Sequence, residues 1–503
     1  MNNPDEETAV AQFGRGDKYF GVCSLMITMP GLPMFGHGQL EGFEEKYGME
    51  YTRAYKDEAV DQGLYDRHCR EIFPLLHKRY LFAEVENFLF YDVWNNGSVN
   101  ENVFAYSNRV ANEASLVFYN NKYEMACGWI KESCPYAVKN GGGENDIRME
   151  KRSLAEGLGL SSGSDKFCIM QEQRSGLYYL RRCDDIINNG IFLSLNGFEC
   201  QVYLNIQMVT DTDGMYAKLC DMLNGRGVED LDVAWQEYFY KDLYSSLKEF
   251  LSCNFVKELS ALKAKKKKDV KTLLLSVKEK ALSYYQTQND FFTDAYAKVE
   301  KASLSENEYK ALREKVSELR FGEFSKEINL LCKMAKKAGK KKDGKENAFD
   351  FYKKNFEVLA LYSAVSALPS ETLVKWGYAR KLSEILLQAE KNILNARSSF
   401  EKLFMLQECC LPKEMNEVNI SNALFYSKDS WRLSGANDFD GIRWFNKEVT
   451  EESLSMLKVL FALDPLVKKA RARKITRHLL KAKEKSNFQC QKFVESLSKK
   501  KKD

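Results

Sequence analysis

The sequence predicts a multidomain α+β protein, and three textures along its 503 residues carry that prediction. Residues 19–29 (YFGVCSLMITM) form a continuous apolar run closed by Pro30-Gly31. Residues 198–207 alternate, with Phe198, Cys200, Val202, Leu204 and Ile206 separated by the more polar Glu199, Gln201, Tyr203, Asn205 and Gln207. From about residue 228 onward glycine and proline become sparse, and apolar residues recur three or four positions apart. These are the patterns of a fully buried strand, a half-buried strand and one-sided helices. The expected units are 1–80, 81–227 and 228–495, with a Lys-rich disordered tail at 496–503.

In the first unit, 19–29 is expected to be a strand that leads through a Gly-Pro loop into a helix at 63–80. In the second, strands are expected at 88–94, 103–106 and 116–119, and a hairpin joins 167–173 to 177–182 through Arg174-Ser175-Gly176. Asn196-Gly197, between the run 190–195 and the alternating strand, signals a second hairpin, because both residues tolerate the positive φ of a type I′ turn. Together these elements predict an antiparallel β-sandwich. Residues 140–145, with three successive glycines, read as a loop tip. The third unit is expected to be α-helical, with helices at 233–250, 270–285, 309–321 and 381–394. It shows no sustained heptad and no fixed repeat.

The charge balance narrows the choice of partners. Lys and Arg number 75 against 71 Asp and Glu, a net charge of +4, too small to predict a nucleic-acid or membrane partner. Lysine gathers at 265–268, 336–342 and 499–502, which reads as solvated helix faces and a charged tail; binding of an anionic polymer is the competing reading. Thirteen cysteines without a CxxC imply reduced thiols. No run reaches the roughly 18 to 20 apolar residues of a membrane span, and Asn2-Asn3-Pro4-Asp5-Glu6 is unlike a signal peptide, so the expected location is cytoplasmic. Of the four histidines, His68 and His77 stand nine apart and share no helix face, and no Cys or carboxylate spacing completes a ligand set with them or with His37 and His478. The GxG within 157–163 lacks the lysine of a phosphate loop. No metal and no cofactor are expected. Trp94, Trp129 and nearby tyrosines read either as strand core or as rings that stack on sugars.

Two short segments suggest a chemistry. Gly31-Leu32-Pro33-Met34-Phe35-Gly36-His37-Gly38-Gln39 follows the apolar run, with Leu40 and Glu41 after it. Upstream stands Asn3-Pro4-Asp5. In their order and separation the two resemble the α-amylase family of glycoside hydrolases, where Asn-His-Asp ends the seventh strand of a (β/α)8 barrel and a Gly-x-Pro…Gly-Gln-Glu segment follows the eighth. Pro4 stands where the family has histidine, and Leu40 where it has glutamate, with Glu41 one residue later. Residues 102–109 and 115–121 are similar to the paired strands that open the β-sandwich after such barrels. The resemblance covers residues 2–227; nothing specific is recognised beyond them. Without the resemblance, Asn-Pro-Asp-Glu before a helix is a good turn and N-cap, and Gly-x-Pro is equally what a tight structural loop needs.

The resemblance implies a remnant of a (β/α)8 barrel in residues 1–80, then the sandwich, then the helical domain. It implies Asp5 as the transition-state stabiliser, Asn3, His37, Gln39 and Glu41 as substrate-binding residues, and an α-glucan or oligosaccharide as the substrate. Retaining hydrolysis needs a nucleophile and an acid about 5 Å apart. In the family these sit on the fourth and fifth strands, upstream of Met1. The chain is therefore expected to be the C-terminal portion of such a glycosidase or glucanotransferase, inactive alone, with the missing barrel part as a possible separate partner chain. The alternative is a non-catalytic glucan-binding or protein-interaction module.

Overall fold

The computed structural model describes all residues except 1, 4, 47–52, 140–146, 263–266, 301–305, 339–346, 392–394, 411–415, 465–466 and 499–503. The glycine loop at 140–145, Pro4 and the C-terminal lysines thus lie outside the described residues. The chain is mixed α and β, and it divides into two compact units, Met1–Trp235 and Gln236–Asp503.

In the first unit the strands are β1 (Leu89–Tyr91), β2 (Trp94–Asn95), β3 (Ser98–Val99), β4 (Val103–Val110), β5 (Glu113–Asn120), β6 (Ala126–Ile130), β7 (Tyr136–Lys139), β8 (Ile147–Glu150), β9 (Lys166–Glu172), β10 (Tyr178–Arg182), β11 (Ile191–Leu195) and β12 (Cys200–Thr210). They form a six-stranded sheet in the order β1-β4-β5-β12-β9-β10, a four-stranded sheet β11-β6-β2-β3 and the pair β7-β8. All described pairings are antiparallel. Leu116, Phe118 and Met170 of the large sheet share one apolar core with Ile130, Leu193 and Leu195 of the small one.

The expected strands at 103–106 and 116–119 are present, as is the hairpin of β9 and β10, closed at Gly176 with φ +71°, whereas the strand expected at 88–94 is divided between β1 of the large sheet and β2 of the small one. The Asn196-Gly197 hairpin is not. β11 pairs with β6, while β12 pairs with β5 and β9, so the turn carries the chain from one sheet to the other. Glu199 N–H donates to Asn196 O at 3.2 Å, and Phe198, not Asn196, takes the positive φ (+58°). Gly197 is required because a Cβ there would lie 1.8 Å from Tyr123 O.

The alternation in β12 holds through Leu204 and then changes face. Cys200, Val202 and Leu204 pack with the helices of residues 9–77, while Ile206 packs into the core shared by the two sheets. A register shift between Leu204 and Gln207, with Asn205 at φ +51°, produces the change. One extra residue in a bulge reverses which side the following residues address.

The segment 19–29 is not a strand. It lies in the helix α2 (Asp17–Thr28), preceded by α1 (Ala9–Phe13) and followed by α3 (Gln62–Glu71) and α4 (Phe73–His77). Tyr19, Phe20, Cys23, Ser24, Ile27 and Thr28 are buried, and Val22, Leu25 and Met26 are partly so. A helix apolar on nearly every side has the hydrophobicity of a buried strand, and periodicity does not separate the two. Gly21 brings α2 against the large sheet, because a Cβ there would meet the Tyr119 ring at 2.0 Å. The helix expected at 63–80 is α3, α4 and a 3₁₀ turn at Arg79–Leu81.

The second unit is helical, as its periodicity implies, apart from a small hairpin of Asn437–Phe439 with Ile442–Trp444. The stretch 233–250 forms two helices, Leu231–Phe239 and Lys241–Phe250, separated at Tyr240. The stretch 270–285 falls in Lys267–Ser276 and Lys278–Glu300, 309–321 in Glu306–Ala338, and 381–388 in Tyr378–Gln388; residues 392–394 lie outside the described residues. One apolar core, with Phe250, Tyr284, Leu361, Leu382, Leu403 and Leu457 among its members, joins these helices. No helix among the described residues is long and apolar enough to cross a membrane.

Candidate functional site

The residue just before Asn3-Pro4-Asp5 meets the segment 31–39 in space. Asn2 N–H donates to Gln39 Oε1 at 3.1 Å, and Asn2 Nδ2 donates to His37 O at 3.0 Å. The approach at Gly36 is close enough that a Cβ would lie 2.2 Å from Asn2 O. The expected site residues have different fates there. Gln39 is buried: its Oε1 also takes Gly36 N–H at 3.4 Å, and its carbonyl takes the Tyr19 hydroxyl at 3.0 Å. Its buried Nε2 meets no acceptor among the described residues. Asn3 is exposed and folds back locally, Oδ1 accepting from Asp5 N–H at 2.9 Å and Glu6 N–H at 2.8 Å. That is an Asx-type turn, the local alternative that the sequence offered. Asp5 is exposed, and its backbone carbonyl accepts from Lys46 Nζ at 2.9 Å. His37 is exposed beside Phe43, with ring centroids 6.2 Å apart. Glu41 is half-buried, and its carbonyl takes Asp61 N–H at 2.9 Å.

Behind Gln39 sits a histidine with a structural part. His68 is fully buried, with Nε2 3.0 Å from the Tyr19 hydroxyl and Nδ1 3.0 Å from Leu64 O. A carbonyl only accepts, so in the neutral ring Leu64 assigns the proton to Nδ1, and His68 Nε2 and Gln39 O then compete for the single Tyr19 hydroxyl hydrogen. Burial lowers the ring's pKa and outweighs the Leu64 hydrogen bond and the Glu71 and Glu41 carboxylates, which raise it. Burial likewise drives the Tyr19 hydroxyl far above the ordinary tyrosine range. The network holds α2, α3 and the loop of residues 30–39 together. Apart from Gln39 Nε2, its polar groups are spent on one another and on the backbone.

A different surface presents groups to solvent. Trp94 is 49% exposed, Trp129 46% and Phe192 51%. They lie on β2, β6 and β11, adjacent strands of the small sheet, and the register places Trp94 opposite Trp129 and Trp129 opposite Phe192. Trp129 and Phe192 have ring centroids 5.3 Å apart. At about 4.8 Å between strands the row spans about 10 Å. The inward neighbours Gly128, Ile130 and Leu193 are buried, so alternation alone turns the three rings outward. Gly128 is required where β2 passes, since a Cβ there would lie 2.7 Å from Trp94 O.

Trp94 and Trp129 were candidates on sequence, and Phe192 was not. Its signal was the alternation within 191–195, half hidden because Ile191 and Phe192 are both apolar. The pairing of β2 with β6, which makes a row of separate residues, has no local signature. Among the described residues, no cluster of His, Cys, Asp and Glu has the geometry of a metal site. In comparisons with known proteins, the chain matches no family model, no curated protein and no solved structure.

Proposed function

We propose that the first unit is a non-catalytic carbohydrate-binding module, its two sheets forming a β-sandwich, and that its ligand is an α-glucan or oligosaccharide. The row Trp94-Trp129-Phe192 carries this reading. Large apolar side chains are ordinarily drawn into strand cores, and three side by side on a solvated face mark a contact surface. Pyranose rings have apolar C–H faces that stack on indole and phenyl rings, while their hydroxyls stay hydrated; flat, stiff aromatics lose little entropy on binding. The experiment is affinity electrophoresis of the full chain in gels containing glycogen or amylopectin. Retardation is expected, with Trp129→Ala weakening it by about tenfold, the loss of roughly one stacked ring. Equal retardation of wild type and Trp129→Ala, or none for either, would overturn the reading.

A second reading has one observation in its favour: Asn2, the residue before Asn3-Pro4-Asp5, contacts Gly36, His37 and Gln39, which brings the two segments similar to the α-amylase family near one another. Under it the chain is the C-terminal portion of an α-glucan-active enzyme, and Asp5, Asn3 and His37 face the sugar. It requires Asp5→Ala and His37→Ala to reduce glucan retention. The aromatic-row reading requires both variants to bind as wild type, because these exposed residues lie on the helices and loops that precede the sheets.

A further inference from the structure

The second unit carries a basic groove that glucan binding does not use. The helix Lys469–Lys485 buries Ala472, Ile475, Thr476, Leu479 and Ala482, and these fix its inward side. Away from that side, Lys474, His478, Lys481 and Lys485 stand at i, i+4, i+7 and i+11, a single stripe along the axis. The stripe lines a groove of about 660 Å³ together with the first turn of the helix Glu417–Tyr426 and the last turn of Cys490–Ser498. That volume is within the range of small-molecule sites, about 300 to 1,000 Å³.

The charge in the groove is one-sided. Lys474, Lys481 and Lys485 are exposed and make no ion pair among the described residues. Among the described residues the one carboxylate lining the groove is Glu417, and it is engaged by His478 Nδ1 at 2.9 Å. Elsewhere on the same helix Lys483 does have a partner, Glu451, at 2.9 Å. Like charges at these spacings repel along a helix, so an uncompensated stripe is a cost that a bound anion removes. The start of the facing helix adds to the same sign. Asn416 Oδ1 takes Asn419 N–H at 2.8 Å, and Glu417 and Val418, whose N–H groups have no acceptor within the helix, line the groove.

We infer that this groove binds a soluble anion with several phosphoryl groups, held by Lys474, Lys481 and Lys485. Ammonium groups suit phosphates as freely oriented point charges. Lys481 and Lys485 are separated by about 6 Å along the axis, and Lys474 lies about 10 Å further on. One phosphate reaches one or two of them, whereas an oligophosphate reaches all three.

The test is calorimetric titration of the full chain with inorganic tripolyphosphate and, separately, orthophosphate at equal ionic strength. Tripolyphosphate is expected to bind at least about tenfold more tightly. The double reversal Lys481→Glu with Lys485→Glu is expected to abolish the difference, while Lys469→Glu with Arg473→Glu, an equal change of charge on another side of the same helix, changes it less than about twofold. All four positions are exposed, and thermal unfolding checks that each variant is folded. The inference is overturned if tripolyphosphate binds no better than orthophosphate, or if both double reversals weaken it alike. It is also overturned if duplex DNA competes and loses affinity equally in both, which would make the whole helix a nucleic-acid surface.

Discussion

Gln39 is one of the residues that the family resemblance assigns to substrate, and in the fold it ties the first residues of the chain to the loop before α3. Its partner network ends at His68, which gives a pH prediction with a definite sign. Burial in the folded protein holds the His68 pKa below its ordinary value near 6.5, while the unfolded chain protonates it normally. The unfolded state therefore binds more protons as pH falls below about 6.5, and His68's contribution to stability is full above that value and is lost below it. Relative to His68→Leu, the wild type should lose its advantage in thermal unfolding between pH 7.5 and pH 5; a constant difference would show that the ring does not titrate on unfolding. Glu327 in the second unit has the opposite sign. Its carboxylate accepts from Ser366 Oγ at 3.2 and 3.0 Å, and burial, aided by Glu323, pushes its pKa up to about 7, against the lowering by Ser366, Ser363 and Arg320. Here the folded state holds the proton longer, so stability is greatest below the ordinary carboxylate value and declines as pH rises through about 7. Glu327→Gln should stabilise the chain by about 2 kcal/mol at pH 8 and change little at pH 4.5, as read from denaturant midpoints at the two pH values.

Elements bounded by turn signals or carrying one consistent apolar side were legible in the sequence, and an apolar run with neither was not; β5, buried on both faces, was read as a strand, whereas α2 was not read as a helix. The strands β4, β5, β9 and β10 and the helices of the second unit announce themselves through turns and periodicity. The helix α2 fails that test because both flanks of Tyr19-Phe20-Gly21-Val22 face apolar neighbours, and Asn196-Gly197 misleads because its turn chemistry is right while its two strands belong to different sheets. Of the candidate site, the individual tryptophans were visible, but their alignment depends on the non-local pairing of β2 with β6. The glycines give a direct check on the α2 assignment. Gly21→Ala gains about 1 kcal/mol in helix propensity, but sets a methyl group 2.0 Å from the ring of fully buried Tyr119, and overpacking of that kind costs about 1 to 3 kcal/mol. The net effect should be destabilising. Gly322, in the helix Glu306–Ala338, has nothing within 4 Å of its would-be Cβ, and Gly322→Ala should stabilise by about 0.5 to 1 kcal/mol. Chemical denaturation of the two variants reads opposite shifts if both glycines are helical in these surroundings, and shifts of the same sign would contradict one of the two placements.

At the scale of the whole molecule, the two units present surfaces of different physics, and salt separates them. Each unit has its own apolar core, with the aromatic row on the first and the lysine stripe on the second. The proposed stacking of sugar on Trp94, Trp129 and Phe192 would be dominated by apolar contact, which added salt leaves intact or slightly strengthens. Attraction of an oligophosphate to Lys474, Lys481 and Lys485 is Coulombic between exposed groups, and the Debye length shrinks from about 10 Å at 0.1 M salt to about 3 Å at 1 M. In the full chain, raising NaCl from 0.05 to about 0.5 M should therefore weaken tripolyphosphate binding by an order of magnitude or more and leave glycogen retention within about twofold. Sites carried by separate cores with no shared residues are expected to behave additively. Trp129→Ala should accordingly leave the phosphate titration unchanged, and Lys481→Glu with Lys485→Glu should leave glycogen retention unchanged. Loss of both activities in either variant would show that the two surfaces serve a single binding event.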